Sequence, residues 1–358
     1  MHKKYMDMAI QLALRGKYNV YPNPQVGCII VKNNKVVGKG WHEYFGGNHA
    51  EINALADAGG NTEGADLYVT LEPCNSFGKR PPCTQAIIKA GIKRVFFAVK
   101  DPNVSKSRET LKKSGIEVKS GILQNKAKKL VKEYFAHLKT KPKVSVKAAM
   151  TLDGKIATYD YDSKWITSEQ SRNFVHKLRS GYDAIIVGTN TALKDNPNLT
   201  SHGKGRNPVR VVIDARLTIP KDYNLFDGSA PTVIIYDEII KNVPKHLLKD
   251  NIIPAPLNIF AAKKDFNVIV NKLNTLSLKT ILIEGGSEII SSALFSKSVD
   301  DIYFFIAPKI IGGKNAVSVT GGAGIKKIKD AVKVKSMKVK KIGQDLLITG
   351  KIGTARNK

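Results

Sequence analysis

The feature that most constrains the fold is an alternation of short β-rich runs with segments of helical spacing, sustained from residue 3 almost to the C-terminus. Such elements are apolar on one side only, so they bury themselves as sheets with helices packed on their faces, an α/β architecture. Residues 3 to 16 carry Met6, Ala9, Ile10 and Ala13 on one helical side, with Gly16 as a stop. VGCIIVK and KVVGKGW then read as two strands joined at Asn33-Asn34, a hairpin, because asparagine tolerates the left-handed backbone that tight turns demand. A helix over 49–59, a strand at ADLYVTL, a helix at CTQAIIKAG, a strand at RVFFAVK and two helical patterns around 105–114 and 124–139 follow. After the polar, proline-containing KTKPKV at 139–144, the pattern restarts. VSVKAAM, DAIIVG, VRVVID, TVIIYD, TILIEGG, IYFFIA and DLLITG read as strands, with helices over 168–180 and 287–296. Not all of the later strands are separated by helices, so an antiparallel edge on a parallel sheet is expected.

A length of 358 residues exceeds what one hydrophobic core usually supports, so two domains, 1–142 and 143–358, are the expectation. No apolar run is long enough to cross a bilayer, and the N-terminal segment, interrupted by Asp7 and Arg15, reads as an amphipathic helix and not a signal peptide. Three cysteines do not make a disulfide framework, which favours a reducing, cytoplasmic setting and leaves thiols free for metal. The formal charge of +28 suits anionic partners. The lysines are nevertheless scattered, as near residues 333 to 341, where alternation places them on the wet face of a strand. No basic block is interleaved with stacking aromatics, so a nucleic-acid partner is not expected.

HAEINALADAG at 49–59 raises a question of chemistry: a helix whose spacing is expected to bury Ile52, Leu55 and Ala56 opens with His49 and Glu51. Taken alone, both side chains would simply face water. Cys74, however, follows a strand within EPC, and Cys83 starts a helix behind Pro81 and Pro82. Helix N-termini are partially positive and lower thiol pKa values, so an imidazole and two thiolates can converge on a cation. One nitrogen and two sulfurs suit zinc and leave a fourth position for water, whose pKa the metal lowers from about 15.7 to roughly 7. Glu51, not itself a ligand, is then the proton shuttle, as in the zinc deaminases. Eight residues, NSFGKRPP, separate the two cysteines, unlike the two of nucleic-acid base deaminases. Lys79 or Arg80 in that loop could meet a phosphate, which points to a phosphorylated small molecule.

PNPQVGCIIV at 22–31, GWHEYFGGNHAE at 40–51 and YVTLEPCNSFGKRPPCTQAI at 68–87 resemble the deaminase half of the bifunctional riboflavin-biosynthesis deaminase/reductases. The resemblance implies a cytidine-deaminase-like α/β/α sandwich in which His49, Cys74 and Cys83 hold zinc, Glu51 moves protons, and Asn23, His42 and Lys79 contact substrate. Ser76 stands where the family commonly has histidine, and Arg80 where threonine is common.

The second half has neither GxGxxG nor a P-loop. It carries KAAMTLDGKIA at 147–157, SKWITS at 163–168, VGTNTALKDNPNLT at 187–200 and ILIEGGSEIISSAL at 281–294. A strand, Glu-Gly-Gly, then a helix with Ser287 as cap is an anion cradle, or else a plain strand-to-helix turn; VGTNT repeats the pattern. These motifs resemble the family's reductase half, which implies a dihydrofolate-reductase-like α/β fold and NADPH. By that resemblance Ala149, Trp165, Thr191, Asp195, Gly286 and Ser287 face NADPH. Ser163, Arg179, Leu199, His202 and Glu284 would face a pyrimidine ribosyl phosphate. His202 replaces a common arginine, whose contact Arg206 could take over; Asp153 is a candidate helper in a site with little other acid-base machinery. Three readings stay open beside this one: a tRNA or nucleoside deaminase fused to another module, a basic nucleic-acid binder with structural zinc, and a chain with one inactive half. A homo-oligomer also stays open.

Overall fold

The computed structural model describes residues 1–16, 19–75, 82–104, 106–249 and 251–352. They form two compact units, Met1–Lys139 and Thr140–Lys358.

In the first unit α1 (His2–Ala13) precedes the hairpin of β1 (Gly27–Lys32) and β2 (Lys35–Trp41). Its turn residues Asn33 and Asn34 take φ of 49° and 60°, the left-handed conformation expected of them. Next come α2 (Ala50–Asp57), β3 (Asp66–Leu71), α3 (Cys83–Lys89), β4 (Arg94–Val99), α4 (Ser107–Lys113), β5 (Glu117–Ser120) and α5 (Gln124–Lys139). The sheet order is β2-β1-β3-β4-β5, antiparallel across the hairpin and β1/β3, parallel from β3 to β5. Glycines let the helices lie close on it: a Cβ at Gly27 would fall 2.0 Å from the Ala9 carbonyl oxygen of α1, and one at Gly40 2.3 Å from that of Ala50 in α2. Those two glycines thus hold opposite faces of the sheet against α1 and α2. The core between them is formed by Met6, Ala9, Ile29, Ile30, Leu67, Val69, Val95 and Ile87, all of them buried.

The second unit holds β6 (Lys143–Thr151), β7 (Lys155–Ala157), α6 (Glu169–Arg179), β8 (Ala184–Gly188), α7 (Thr189–Asp195), β9 (Val209–Ile213), β10 (Thr232–Asp237) and β11 (Ile252–Leu257). It continues with α8 (Ile259–Lys264), α9 (Asn267–Thr275), β12 (Thr280–Ile283), α10 (Ser287–Phe295), β13 (Asp301–Ala307), β14 (Val317–Ser318), β15 (Val334–Ile342) and β16 (Asp345–Ile352). Nine strands pair in the order β11-β10-β9-β8-β12-β6-β13-β16-β15, and β7 pairs with β14 separately. The sheet is parallel from β11 to β13, whereas β16 and β15 add antiparallel, so the mixed edge expected from the sequence is present.

Two local expectations need correction. The lysine-rich β15 is a strand, but eight of its nine residues are exposed, so both of its faces are wet and not one. Ser287 is not the cap of α10: the cap position is Gly286, at φ 81°, and no side chain caps that helix. The turn needs a residue free of Cβ strain at that φ, which displaces the serine by one position.

Candidate functional site

In the first unit β3 ends at Leu71, and the chain passes through Glu72 and Pro73 to Cys74. His49 occupies the cap position of α2 and Cys83 the first position of α3. Two helix starts and one strand end therefore meet, and they carry a nitrogen and two sulfurs. The His49 Nδ1, Cys74 Sγ and Cys83 Sγ atoms all lie within 4.8 Å of one another. His49 Nδ1 is 3.2 Å from Cys83 Sγ and 3.5 Å from Cys74 Sγ. The Cys83 backbone N–H donates to Cys74 Sγ at 3.2 Å, and the Thr84 N–H to the Cys74 carbonyl, fixing the strand-end turn against the helix. The hydrogen bond with the Cys83 side chain lowers the Cys74 thiol despite burial, with His49 adding to it. A sulfur already biased toward thiolate beside a second sulfur and an imidazole is the donor set of a three-ligand zinc site. Exposure falls from His49 through Cys74 to the buried Cys83, so the group is open on the imidazole side.

Glu51 sits one residue into α2 and is 3% exposed. Burial pushes its carboxyl up to about 6, against the opposing charge of His49. His42 is buried too, its ring edge-on to that of His49 at 5.8 Å between centroids. Its Nδ1 is 2.9 Å from the Asn48 carbonyl, so that nitrogen must carry the proton, and Nε2 accepts from the Asn23 amide at 3.2 Å. The structure therefore brings Asn23, His42, His49, Glu51, Cys74 and Cys83 together. Lys79, Ser76 and Arg80 lie outside the described residues. Cys28 is an interior residue of β1, paired with Gly40 and Val69, and all three cysteines are free thiols.

The second unit contains a cavity of about 730 Å³ bounded by β6, α6, the ends of β8 and β12, and α7. It lies at carboxyl ends of parallel strands, where open α/β sheets hold ligands. Ala149, Trp165, Thr191, Asp195 and Gly286 line it; so do Ser163, Arg179, Leu199, His202 and Glu284. Ser287 does not. Close packing explains the double glycine, since a Cβ on Gly285 would fall 2.8 Å from the Thr191 methyl.

Arg179 and Glu284 are engaged with each other inside this cavity. Arg179 donates from Nε and Nη2 to the two carboxylate oxygens at 2.7 and 2.8 Å, and from Nη1 to the Thr200 carbonyl. Lys147 Nζ approaches the same carboxylate at 3.3 Å. Burial alone would push Glu284 up, but the two cations outweigh it and hold it at about 2. Trp165 is 62% exposed and lies under Arg172, whose guanidinium carbon is 4.4 Å from the ring centroid. Ser163 donates to Asp195 at 3.4 Å.

Two further expectations are corrected by this geometry. Asp153 accepts from the Gly312 and Ile311 N–H groups and from the Thr151 hydroxyl and does not line the cavity; it braces a turn. Arg206 pairs with Asp183 and the Tyr182 carbonyl and does not line the cavity either. Lys147, Arg172 and His176 line it without having been singled out in the sequence. A lone lysine in the apolar run VSVKAAM was the legible signal for Lys147, and the i,i+3 spacing of His176 to Arg179 was that for the histidine.

Comparison with known proteins follows this division. Residues 1–99 match the family model described as the cytidine and deoxycytidylate deaminase zinc-binding region, and residues 142–348 match the RibD C-terminal domain. The riboflavin biosynthesis protein RibD of Aquifex aeolicus is 41% identical over 355 residues, covering 97% of both chains. That of Bacillus amyloliquefaciens is 40% identical over 359 residues, covering 98% of this chain and 96% of its own. The chain belongs to the RibD family. Among solved structures, the Thermotoga maritima diaminohydroxyphosphoribosylaminopyrimidine deaminase/5-amino-6-(5-phosphoribosylamino)uracil reductase is 35% identical, with a TM-score of 0.53 and 98% of each chain covered. An Acinetobacter baumannii RibD is 30% identical, with a TM-score of 0.55 and 99% of each chain covered. As a RibD chain the protein is a bifunctional deaminase and reductase of riboflavin biosynthesis, with zinc in its deaminase region and NADPH as its reductant.

Proposed function

We propose that residues 1–142 deaminate 2,5-diamino-6-ribosylamino-4(3H)-pyrimidinone 5′-phosphate. Residues 143–358 would then reduce the product's ribosyl side chain, giving 5-amino-6-(5-phosphoribitylamino)uracil. The observation that carries the reading is the convergence of His49, Cys74 and Cys83 within 4.8 Å beside the buried Glu51.

His49, Cys74 and Cys83 fit zinc and would hold it; when bound, the metal supplies the Lewis acidity that makes water nucleophilic in neutral solution. Glu51 takes a proton as water adds to the ring carbon and delivers one to the amino nitrogen, so that one water enters and one ammonia leaves. Asn23 and His42 hold the ring in line with that exchange, His42 remaining neutral because burial lowers it to about 4. Lys79 would meet the phosphate.

In the second unit NADPH, when bound, would supply the hydride that reduces the imine-like carbon of the ring-opened sugar, solvent supplying the proton that completes the amine. Ala149, Trp165, Thr191, Asp195 and Gly286 would form the cofactor wall, with Ser287 outside it as the first residue of α10. Ser163, Arg179, Leu199, His202 and Glu284 form the substrate wall, where the work of the chain is to position and to exclude water. A cytoplasmic setting suits three free thiols, and among the described residues no helix is long and apolar enough to cross a membrane.

The test supplies the pyrimidine ribosyl phosphate with and without NADPH and follows ammonia and nicotinamide absorbance together. Ammonia should appear in both cases, and NADPH oxidation only after it. Ammonia from a polynucleotide with none from the pyrimidine phosphate would overturn the reading.

A further inference from the structure

We propose that His176 and His202 together form a proton-gated seat for the substrate's phosphate monoester at one end of the reductase cavity. The inference rests on the reductase reading above and adds a residue, His176, and a pH response to it.

The two rings come from different parts of the unit, His176 from the last turn of α6 and His202 from the loop before β9, yet their centroids are 4.0 Å apart. Both line the cavity. His176 Nδ1 is shielded from solvent and meets no hydrogen-bond partner among the described residues. A shielded ring nitrogen of this kind is satisfied by a ligand atom or carries a standing cost. The permanent cations nearby are committed elsewhere: Arg179 forks onto Glu284 and the Thr200 carbonyl, and Lys147 approaches the same carboxylate. Arg172 stacks on Trp165 and donates to the Thr167 carbonyl, and Lys164 acts on Asp195; among the described residues that line the cavity, this leaves the two imidazoles to meet an anion.

The charges acting on His176 come from three elements: Arg179 on α6 itself, Lys147 on β6 and Glu284 at the end of β12, together with the ring of His202. Burial first, then the His202 and Arg179 charges, lowers His176 to about 4, and burial with Arg179 lowers His202. The empty seat is therefore uncharged at neutral pH. A phosphate monoester brings a charge of about −1.5 to −2 and three acceptor oxygens, which favour imidazolium and its second N–H. Binding then takes up protons, and affinity falls as pH rises between the free and the bound pKa values.

Calorimetric titration of the full chain with ribose 5-phosphate, at pH 6 and pH 8 and in buffers of different ionisation heat, tests this. Affinity should fall by up to about tenfold per pH unit, as one linked proton allows, with net proton uptake on binding. Ribose without phosphate should show neither. His202→Arg, an exposed loop position, should bind equally at both pH values, and His176→Gln should lose most of the uptake; any proton taken by the phosphate itself is common to all three proteins. In turnover, KM for the ribosyl phosphate should rise with pH while kcat and the KM for NADPH do not. Equal affinity at both pH values, or unchanged uptake in both variants, overturns the seat. A pH response confined to the KM for NADPH overturns it as well, assigning the pair to a phosphate of the reductant. Failure of the chain to reduce any ribosyl phosphate would instead overturn the reductase reading, while the calorimetry still judges the pair.

Discussion

Glu51 and Glu284 are both buried carboxyls, and their surroundings drive them in opposite directions. Glu51 has burial as its dominant influence and is raised, whereas Glu284 has two cations within reach and is lowered. Replacing Glu51 with Gln keeps the shape and removes the proposed proton carrier. Zinc content by metal analysis should be unchanged, and ammonia release should fall by roughly 10²–10⁴-fold; full residual activity would remove Glu51 from the chemistry. For Glu284 the sign runs the other way. A folded-state value of about 2 against an ordinary 4.5 stabilises the fold fully above the ordinary value, and this is lost as pH falls from there through the folded one. The contribution is on the order of 3 kcal/mol. Denaturant titrations between pH 6 and pH 3 should therefore show wild type losing stability that Glu284→Gln has already lost, the two curves converging in acid. Parallel curves would contradict the pairing. The two sites also differ in legibility. HAE and EPC each sit within a few residues of a helix start or strand end, so local sequence reports them. The Lys147–Glu284–Arg179 cluster draws on β6, β12 and α6, and only the parallel pairing of β12 with β6 makes neighbours of the first two.

At the scale of elements, α6 matters most to the second site, since it carries Arg172, His176 and Arg179 on one helix. Its start is fixed from β16: Asp345, wholly buried, accepts from the Ser168 N–H and hydroxyl at 2.8 and 2.7 Å and from the Ser171 hydroxyl at 2.6 Å. A carboxylate there satisfies orphan donors and suits the positive helix end. Asp345→Ala should cost about 1–3 kcal/mol, read as a lowered unfolding midpoint of the second unit. A different constraint governs α10, whose cap Gly286 is held at φ 81°. Gly286→Val should weaken NADPH binding, measured by fluorescence titration, and leave ammonia release intact. Equal damage to both activities would show that the substitution acts beyond its own unit. The sequence pattern shows most elements because their apolar period is clear. It hides β5, whose EVKS buries one residue of four, and β11, whose IIPAPL contains two prolines that argue against a strand. β11 tolerates them because it is the outermost strand of its sheet, pairing with β10 alone.

At the scale of the whole molecule, the +28 charge that first suggests a polyanion partner is spread along the sequence. Lys147 and Arg179 face a carboxylate, and β15 spreads its lysines over two wet faces. What organises the chain is the closure of each sheet within its own unit, five strands in one and nine in the other, each with its own buried core. The three donor atoms that could hold zinc all belong to the first unit, and the cavity proposed for NADPH belongs to the second. Ligand binding stabilises only the folded unit that holds the site, by RT ln(1 + [L]/Kd), or about 2.7 kcal/mol at a hundredfold excess over Kd. Calorimetric unfolding should accordingly resolve two transitions. A chelator should lower only the one that belongs to Met1–Lys139, and NADPH should raise only the other. The chelated protein should release no ammonia yet still oxidise NADPH when given the deaminated ribosyl phosphate. A single transition that moves with either ligand would mean that the two units unfold as one, and loss of both activities on chelation would place a zinc requirement in the second unit, where the described residues hold no comparable donor group.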